Sequence, residues 1–264
     1  MAATTDPSAQ QEELNQKSKI TLYWLEQSRS QRILWLLEEL SLPYNLQTFK
    51  RGSDMRAPPE LKEIHPLGKS PVIAIEPAGG GERIVLAESG NIVEVLCEFY
   101  GRRLMPTRWK AGKEGEIDGE TEEWRRYRYF LQYAEGSLMP FLMMKMIAGN
   151  IRKAPVPFFI KPITNRIAGG IESSFVDPNI ATQLSFIEQQ LSTSPNGGSY
   201  LCGEKLTGAD ILVSFPLEAC IMRSIATPDK YPKLCAYVQK LQESEAYKKA
   251  VQKIIEVEGE YKTI

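Results

Sequence analysis

The sequence has few metal-binding residues and almost no net charge. It contains a single histidine, His65, and four cysteines with no C-x-x-C pair, so no zinc-site pattern is present. Lysine plus arginine number 32 against 33 aspartate plus glutamate, which gives no overall field favouring nucleic acid or an anionic membrane. We therefore expect no bound metal and no nucleic-acid partner.

Long apolar runs and N-glycosylation acceptor sites are also missing. No stretch reaches the ~18 apolar residues of a membrane-spanning helix, and Lys145 interrupts the methionine-rich segment 138–147. Residues 1–18 are polar, which predicts a disordered tail rather than a signal peptide. We expect a cytoplasmic protein with no integral membrane segment. The four widely spaced cysteines are expected to be buried and reduced: Cys97, Cys202, Cys220 and Cys235.

Residues 19–101 predict a small α/β unit. A strand over 20–25, a helix with apolar residues at Ile33, Leu37 and Leu40, and a strand over 44–49 imply a parallel pair with a crossover helix. A β-hairpin over 72–87 and a helix over 88–100 follow. The predicted order is βαβ, loop, ββα.

The rest of the chain predicts helices only. A basic, glycine-containing linker over 102–117 leads into residues 118–264. Thr207 and Asp210 form a capping box for a helix that is apolar on several faces and belongs in a core, and Pro216 is expected to kink or end it. The fold class is thus α/β followed by an all-α domain. Other helices are expected at 124–138, 180–191 and 234–255, while 149–179 has no assignment.

Two candidate sites lie near the first and third strands. Ser28, between a strand end and a helix start, could stabilise a thiolate with free N–H groups and the helix dipole, although such a serine is more often only a cap. Ser70 precedes Pro71. A cis bond there would turn the Ser70 backbone toward an extended peptide, whereas most prolines are trans.

Two further candidates lie in the hairpin region. Glu88 and Ser89 could hold the ammonium and carboxylate of an amino-acid zwitterion, or simply cap the next helix. Lys69 could meet a carboxylate, although most lysines are solvated, and His65 could hydrogen-bond a ligand or be structural. None of these residues alone points to one kind of protein, but their order along the chain does.

In that order the residues resemble those of the cytosolic glutathione transferases, over about residues 19–256, and within them the fungal, yeast-type branch. The stretches that carry the resemblance are SRSQRILWLL at 28–37, RAPPELK at 56–62, HPLGKSP at 65–71 and LAES at 86–89. The resemblance implies a thioredoxin-like glutathione-binding domain over 19–101 and a helical bundle over 118–264.

The resemblance also implies roles for the candidate residues. Ser28 would hydrogen-bond the glutathione sulfur, with Ser30 close enough to compete, and the cysteine-type Cys-Pro start is absent. His65 and Ser70 stand where many relatives have asparagine and valine. Neither difference removes a backbone contact to glutathione. The expected glutathione contacts are Ser70 with the cysteinyl unit beside a cis Pro71, Glu88 and Ser89 with the γ-glutamyl end, and Lys69 and His65 near the glycine carboxylate.

The implied function is conjugation of glutathione, as co-substrate, to hydrophobic electrophiles, with hydroperoxide reduction as a further expected activity. Detoxification and a homodimer are expected with it. The second substrate would lie against the helical domain, on Tyr127, Tyr133, Met139, Met143 and Met144. The alternative is a non-catalytic regulator or ligand carrier of the same fold, since fold does not imply activity.

Overall fold

The computed structural model describes residue 11 and residues 14–261. Most of the expected disordered tail, and residues 262–264 of the expected helical domain, lie outside the described residues. Within the tail, Asn15 donates to the Phe99 carbonyl at 2.9 Å, and Ser18 accepts from the Ala78 amide at 3.3 Å. The chain therefore contacts the first domain before its first strand begins.

The first domain is built on a four-stranded mixed sheet in the order β2-β1-β3-β4. β1 is parallel to β2 and antiparallel to β3, and β3 and β4 form the predicted hairpin. The parallel pair requires a crossover, which the first helix provides. The strands are β1 Lys19–Leu25, β2 Tyr44–Phe49, β3 Val72–Glu76 and β4 Ile84–Ala87.

Helices cover both faces of this sheet. They are α1 Ser30–Glu39, α2 Leu61–Ile64 and α3 Ser89–Tyr100. Alternate residues of β1 point to opposite faces, so Leu22 and Trp24 join one apolar cluster while Tyr23 and Leu25 join another with Leu61 of α2. Burial on both sides explains why the central strands β1 and β3 are nearly continuous apolar runs, whereas the edge strand β2 alternates.

The second part of the chain is helical, and the predicted fold class, thioredoxin-like followed by all-helical, is confirmed. The helices are α4 Glu122–Tyr133, α5 Met139–Lys153, α6 Lys161–Ile171, α7 Asp177–Ser192, α8 Gly208–Met222, α9 Pro232–Gln242 and α10 Glu245–Glu258. Two five-residue π-turns, Ala134–Leu138 and Glu172–Val176, join α4 to α5 and α6 to α7 without a loop.

Three helix boundaries differ from those expected. The helix predicted over 124–138 continues through the first π-turn to Lys153, because such a turn widens a helix without ending it. The unassigned segment, 149–179, holds the end of α5, α6, the second π-turn and the start of α7. The helix predicted over 234–255 is two helices, because the Ser244 side chain accepts from the Tyr247 amide at 3.1 Å and caps a new start.

Helix α8 lies in the middle of the helical domain, as its apolar sequence predicts. Nearly all of its residues are buried, and it packs against α1, α3, α4 and α9. The predicted capping box is present, with Thr207 and Asp210 bonded reciprocally. Gly208 permits the close approach to α3, since a Cβ there would lie 2.6 Å from the Cys97 sulfur. Pro216 does not end the helix, which continues to Met222.

Candidate functional site

Three serine hydroxyls form a row at the start of α1. Ser28 donates to Ser30 at 2.9 Å, Ser30 lies 2.5 Å from Ser70, and Ser70 donates to the Tyr23 carbonyl at 3.1 Å. The Ser30 amide also donates to the Ser28 oxygen at 3.2 Å. The strand end of β1, the start of α1 and the loop before β3 therefore converge on one point.

The direction of this row separates Ser28 from Ser30. Each hydroxyl has one proton to donate. The Ser70 proton goes to the Tyr23 carbonyl, so the short contact to Ser30 must use the Ser30 proton. Ser30 is also fully buried, whereas Ser28 lines the open cleft described below. The Ser28 hydroxyl is thus the one member of the row that can turn its proton toward a ligand.

The loop before β3 forms the next wall of this point. The Ser70–Pro71 peptide bond is cis, as the resemblance implies. Gly68, Lys69 and Ser70 line the cleft, and the Lys69 side chain is exposed. His65 lies away from that lining, and its Nδ1 accepts from the Leu67 amide at 3.4 Å, which fits a role in shaping the loop.

The start of α3 has a different construction. Glu88 is exposed and has a left-handed backbone, with φ of 67°, an uncommon conformation for a residue with a side chain. Ser89 is buried, and its oxygen accepts from an Arg32 guanidinium nitrogen at 3.0 Å. Because that bond uses the Ser89 oxygen as acceptor, the Ser89 proton remains available for an anion at the helix start.

Arg32 links this helix start to the helical domain. Arg32 belongs to α1, and its side chain is completely buried. It donates to the Leu212 carbonyl at 2.7 Å and forms an ion pair with Glu135 in the first π-turn. Burial lowers the pKa of the Arg32 guanidinium, and the neighbouring Glu135 carboxylate opposes that shift. Arg29 reaches the same carboxylate at 3.4 Å.

Pro216 explains why the Leu212 carbonyl needs Arg32. In an α-helix the residue 212 carbonyl would accept from the residue 216 amide, and proline has no amide proton. Arg32 supplies the missing donor, which allows α8 to continue past Pro216. Pro216 stands out in the sequence and Arg32 does not, because a fully buried arginine has no signature in helical spacing.

A cleft of about 850 Å³ separates the serine row from the helical domain. The first domain contributes Ser28, Lys69 and Ser70, and α5 contributes Met143, Met146 and Asn150. Arg51 lines the first-domain wall of the cleft, where burial lowers the pKa of its guanidinium. The nearby Glu26 carboxylate opposes that shift. The lining residues that carry charge are Arg29, Arg51, Arg56, Lys62, Lys69, Lys145, Lys153 and Arg223.

The residues expected to contact a second substrate fall into two groups. Met143 lines the cleft, and Met139 lines a narrow apolar slot beside it. Tyr127 and Tyr133 lie in the core instead, where Tyr133 stacks on Tyr129 and donates to the Gln183 carbonyl at 3.3 Å. Met144 is 42% exposed and outside the cleft. On a helix buried on more than one side, aromatic spacing alone does not identify which face meets a cavity.

The site offers several groups that can bind anions. Over the part of the chain that the structure describes, no group of three or more His, Cys, Asp or Glu side chains could hold a metal ion. The same residues include no helix long and apolar enough to cross a membrane. Two helix starts, hydroxyl donors and lysines can together stabilise a thiolate and a carboxylate.

Comparison with known families agrees with this geometry. Residues 28–98 match the family described as glutathione S-transferase, N-terminal domain, and residues 168–245 match glutathione S-transferase, C-terminal domain. The chain is similar to glutathione S-transferase 1 of Saccharomyces cerevisiae, with 35% identity over 86% of this chain and 92% of that one.

Solved structures show the same fold. A glutathione S-transferase from Actinobacillus pleuropneumoniae matches with a TM-score of 0.61 and 29% identity, covering 89% of this chain and 92% of that one. A glutathione transferase homologue from Lodderomyces elongisporus, crystallised with two glutathione molecules per subunit, matches with a TM-score of 0.66 and 20% identity. It covers 88% of this chain and 97% of that one.

Proposed function

Because the chain belongs to the glutathione S-transferase family, we propose that it activates the thiol of glutathione and transfers glutathione to electrophilic small molecules. The observation that carries the proposal is the serine row at the start of α1, with Ser28 at its open end. The glutathione bound in solved structures of the same fold supports a glutathione site here.

Activation of the thiol follows from ordinary acid–base chemistry. A free thiol has a pKa of about 8.5, so only a few per cent is thiolate at neutral pH. A hydrogen bond from Ser28 and the free N–H groups at the α1 start favour the charged form. Each unit by which the pKa falls requires about 1.4 kcal/mol, which one charge-assisted hydrogen bond can supply.

The remaining contacts orient the tripeptide along the wall of the first domain. Glu88 accepts from the γ-glutamyl ammonium, and the Ser89 hydroxyl with the α3 start binds the γ-glutamyl carboxylate. The backbone of Ser70 beside Pro71 pairs with the cysteinyl unit, and Lys69 meets the glycine carboxylate, with His65 shaping its loop. The thiolate then faces the cleft, where it attacks an electrophilic carbon or a peroxide oxygen.

We propose a homodimer as the working form. Exposed apolar side chains occur every four residues along α6, at Ile163, Ile167 and Ile171, and so lie on one face, and exposed Phe159 lies just before the helix. A patch of this kind on a soluble protein marks an interaction surface. Sedimentation at micromolar concentration should give the dimer mass, and Ile163→Glu with Ile167→Glu should shift the protein to the monomer.

The cytoplasm is the proposed location, and detoxification the proposed role. Three of the four cysteines are buried free thiols, which suits a reducing compartment. Fractionation of the native host cells tests the location.

A direct assay tests the transferase proposal. Purified protein should bind glutathione by calorimetry, lower the pKa of the bound thiol, and turn over a reactive aryl halide or an organic hydroperoxide. Glutathione binding without a lowered thiol pKa and without turnover of any electrophile would replace the proposal with the non-catalytic regulator or carrier.

A further inference from the structure

The cleft carries more positive charge than one glutathione molecule requires. Its lining includes eight lysines and arginines and no aspartate or glutamate. Five of them belong to the first domain, and three belong to the helical wall that faces the serine row. The helical-wall cations are Lys145, Lys153 and Arg223.

Acidic groups outside the lining balance part of this charge. The pairs are Arg29 with Glu135, Arg51 with Glu26, Arg56 with Asp54, and Lys145 with Asp177 at 2.6 Å and Glu172 at 4.0 Å. Lys62, Lys69 and Lys153 form no ion pair with any residue that the structure describes. A net positive charge therefore remains at both walls, and on the helical wall Lys153 carries it.

Glutathione accounts for the first-domain charge but not for that of the helical wall. In the proposed function, the γ-glutamyl carboxylate of glutathione lies at the α3 start, outside the cleft lining. The glycine carboxylate of glutathione lies at Lys69. Lys62 packs over Gly68, next to that position. The thiolate is held at Ser28. No anionic group of glutathione is left for Lys153 on the opposite wall.

Beside these cations the helical wall is apolar. A narrow slot lined by Met139, Leu142, Met143, Met146, Ala219 and Ile225 adjoins the cleft. The slot and the cleft share Met143, Met146, Lys145 and Arg223. Methionine side chains adapt their shape to a ligand, so the shared Met143 and Met146 can adjust to an apolar body that lies in the cleft.

We propose that the second substrate is an amphipathic anion, that is, an electrophile with a carboxylate group and an apolar body. Lys153 binds the carboxylate, and Met143 and Met146 contact the body. This inference rests on the proposed transferase function and specifies its substrate class.

The bond changes are those of a conjugate addition. The glutathione sulfur forms a bond to the β-carbon of an unsaturated ketone, and the carbon–carbon π bond breaks. Its electron pair moves to the α-carbon and carbonyl oxygen as an enolate, which then takes a proton from water. The carboxylate at the far end of the substrate takes no part in the reaction and serves only for binding.

A matched substrate pair tests the inference. An aryl vinyl ketone with a para carboxylate and the same compound with a para carboxamide differ in charge but are similar in shape. The measured quantity is the ratio of kcat/KM for the acid over the amide in wild type, Lys153→Gln and Lys153→Glu. Lys205→Gln, at an exposed lysine outside the cleft lining, is the control.

We expect Lys153→Gln to lower the acid/amide ratio about fivefold and Lys153→Glu to lower it further, with Lys205→Gln unchanged. The KM for the acid should also rise with salt more steeply than that for the amide. A ratio that is the same in all four proteins overturns the inference but leaves the transferase intact. A raised KM for glutathione with an unchanged ratio assigns Lys153 to glutathione and also overturns it. If wild type turns over a reactive aryl halide but neither of these compounds, the inference is overturned and the transferase proposal stands. If wild type turns over no electrophile at all, the transferase proposal is overturned, and the inference with it.

Discussion

The two helix starts that meet at the site are built on different chemistry. At the start of α1, three neutral hydroxyls form a row of hydrogen bonds that ends on the Tyr23 carbonyl, with Ser28 at the open end. At the start of α3, Ser89 is bonded to the buried guanidinium of Arg32. A neutral donor row can reorient toward a group whose charge changes during a reaction. A buried cation provides a fixed field for a group that stays charged.

This contrast predicts that the two helix starts have separate roles. Changes at the α3 start should act on the affinity for glutathione, and changes at the α1 start should act on the pKa of its thiol. Arg32 belongs to α1 in the chain but acts at the α3 start and in α8. It should therefore affect stability more than any other residue of the site.

The largest expected effect comes from Arg32→Met. The change leaves the Leu212 carbonyl buried without a donor and Glu135 without one of its cations, so we expect the free energy of unfolding to fall by about 3 kcal/mol or more. Chemical denaturation of the glutathione-free protein measures it. Arg103→Met removes a more exposed pair with Glu39 and should cost under about 1 kcal/mol. Equal costs in the two variants would show that the buried Arg32 network adds no more stability than an exposed ion pair.

Substitutions at the α3 start come next. Glu88→Ala and Ser89→Ala should each weaken glutathione binding by roughly 1.5–3 kcal/mol, because each removes a hydrogen bond to a charged group. Calorimetry should therefore give a Kd for glutathione that is roughly tenfold or more higher in each variant. Ser28→Ala is the matched control and should change Kd little. Unchanged affinity in both α3 variants would place the γ-glutamyl end elsewhere.

A smaller effect tests the link between Arg32 and Pro216. Pro216→Ala restores an amide that can donate to the Leu212 carbonyl, so Arg32→Met should cost about 1 kcal/mol less in the Pro216→Ala background. The measurement is a double-mutant cycle by denaturation at one pH. An identical cost of Arg32→Met in both backgrounds would mean that Arg32 does not substitute for the missing amide.

Local sequence patterns predicted most of the fold. The strand over 44–49 has the predicted bounds, and the capping box at Thr207 and Asp210 is where the residues indicated. Caps and periodicity are local, which is why one sequence reveals them. The π-turn at 134–138 was not predictable in this way, since it depends on how α4 and α5 pack against the rest of the domain.

The site was predictable only where its residues flank strands. Ser28, Ser70 and Ser89 each follow or precede a strand, so their positions could be anticipated. Arg32 could not, because its partners Ser89, Glu135 and Leu212 are distant in the chain and meet only after folding. The positive charge of the cleft was hidden for the same reason, since its cations come from both domains and the chain as a whole is nearly neutral.

The most direct test of the account is the pKa of the glutathione thiol when bound, read from the ultraviolet absorbance of the thiolate against pH. Wild type should hold that pKa well below its value in solution. Ser28→Ala should raise it by about one unit, equivalent to about 1.4 kcal/mol, and lower turnover with little change in glutathione affinity. Ser30→Ala should do much less, because the Ser30 proton is committed to Ser70. A bound thiol whose pKa is the same in wild type and Ser28→Ala, or one that rises only in Ser30→Ala, would contradict the assignment of Ser28 as the thiol partner.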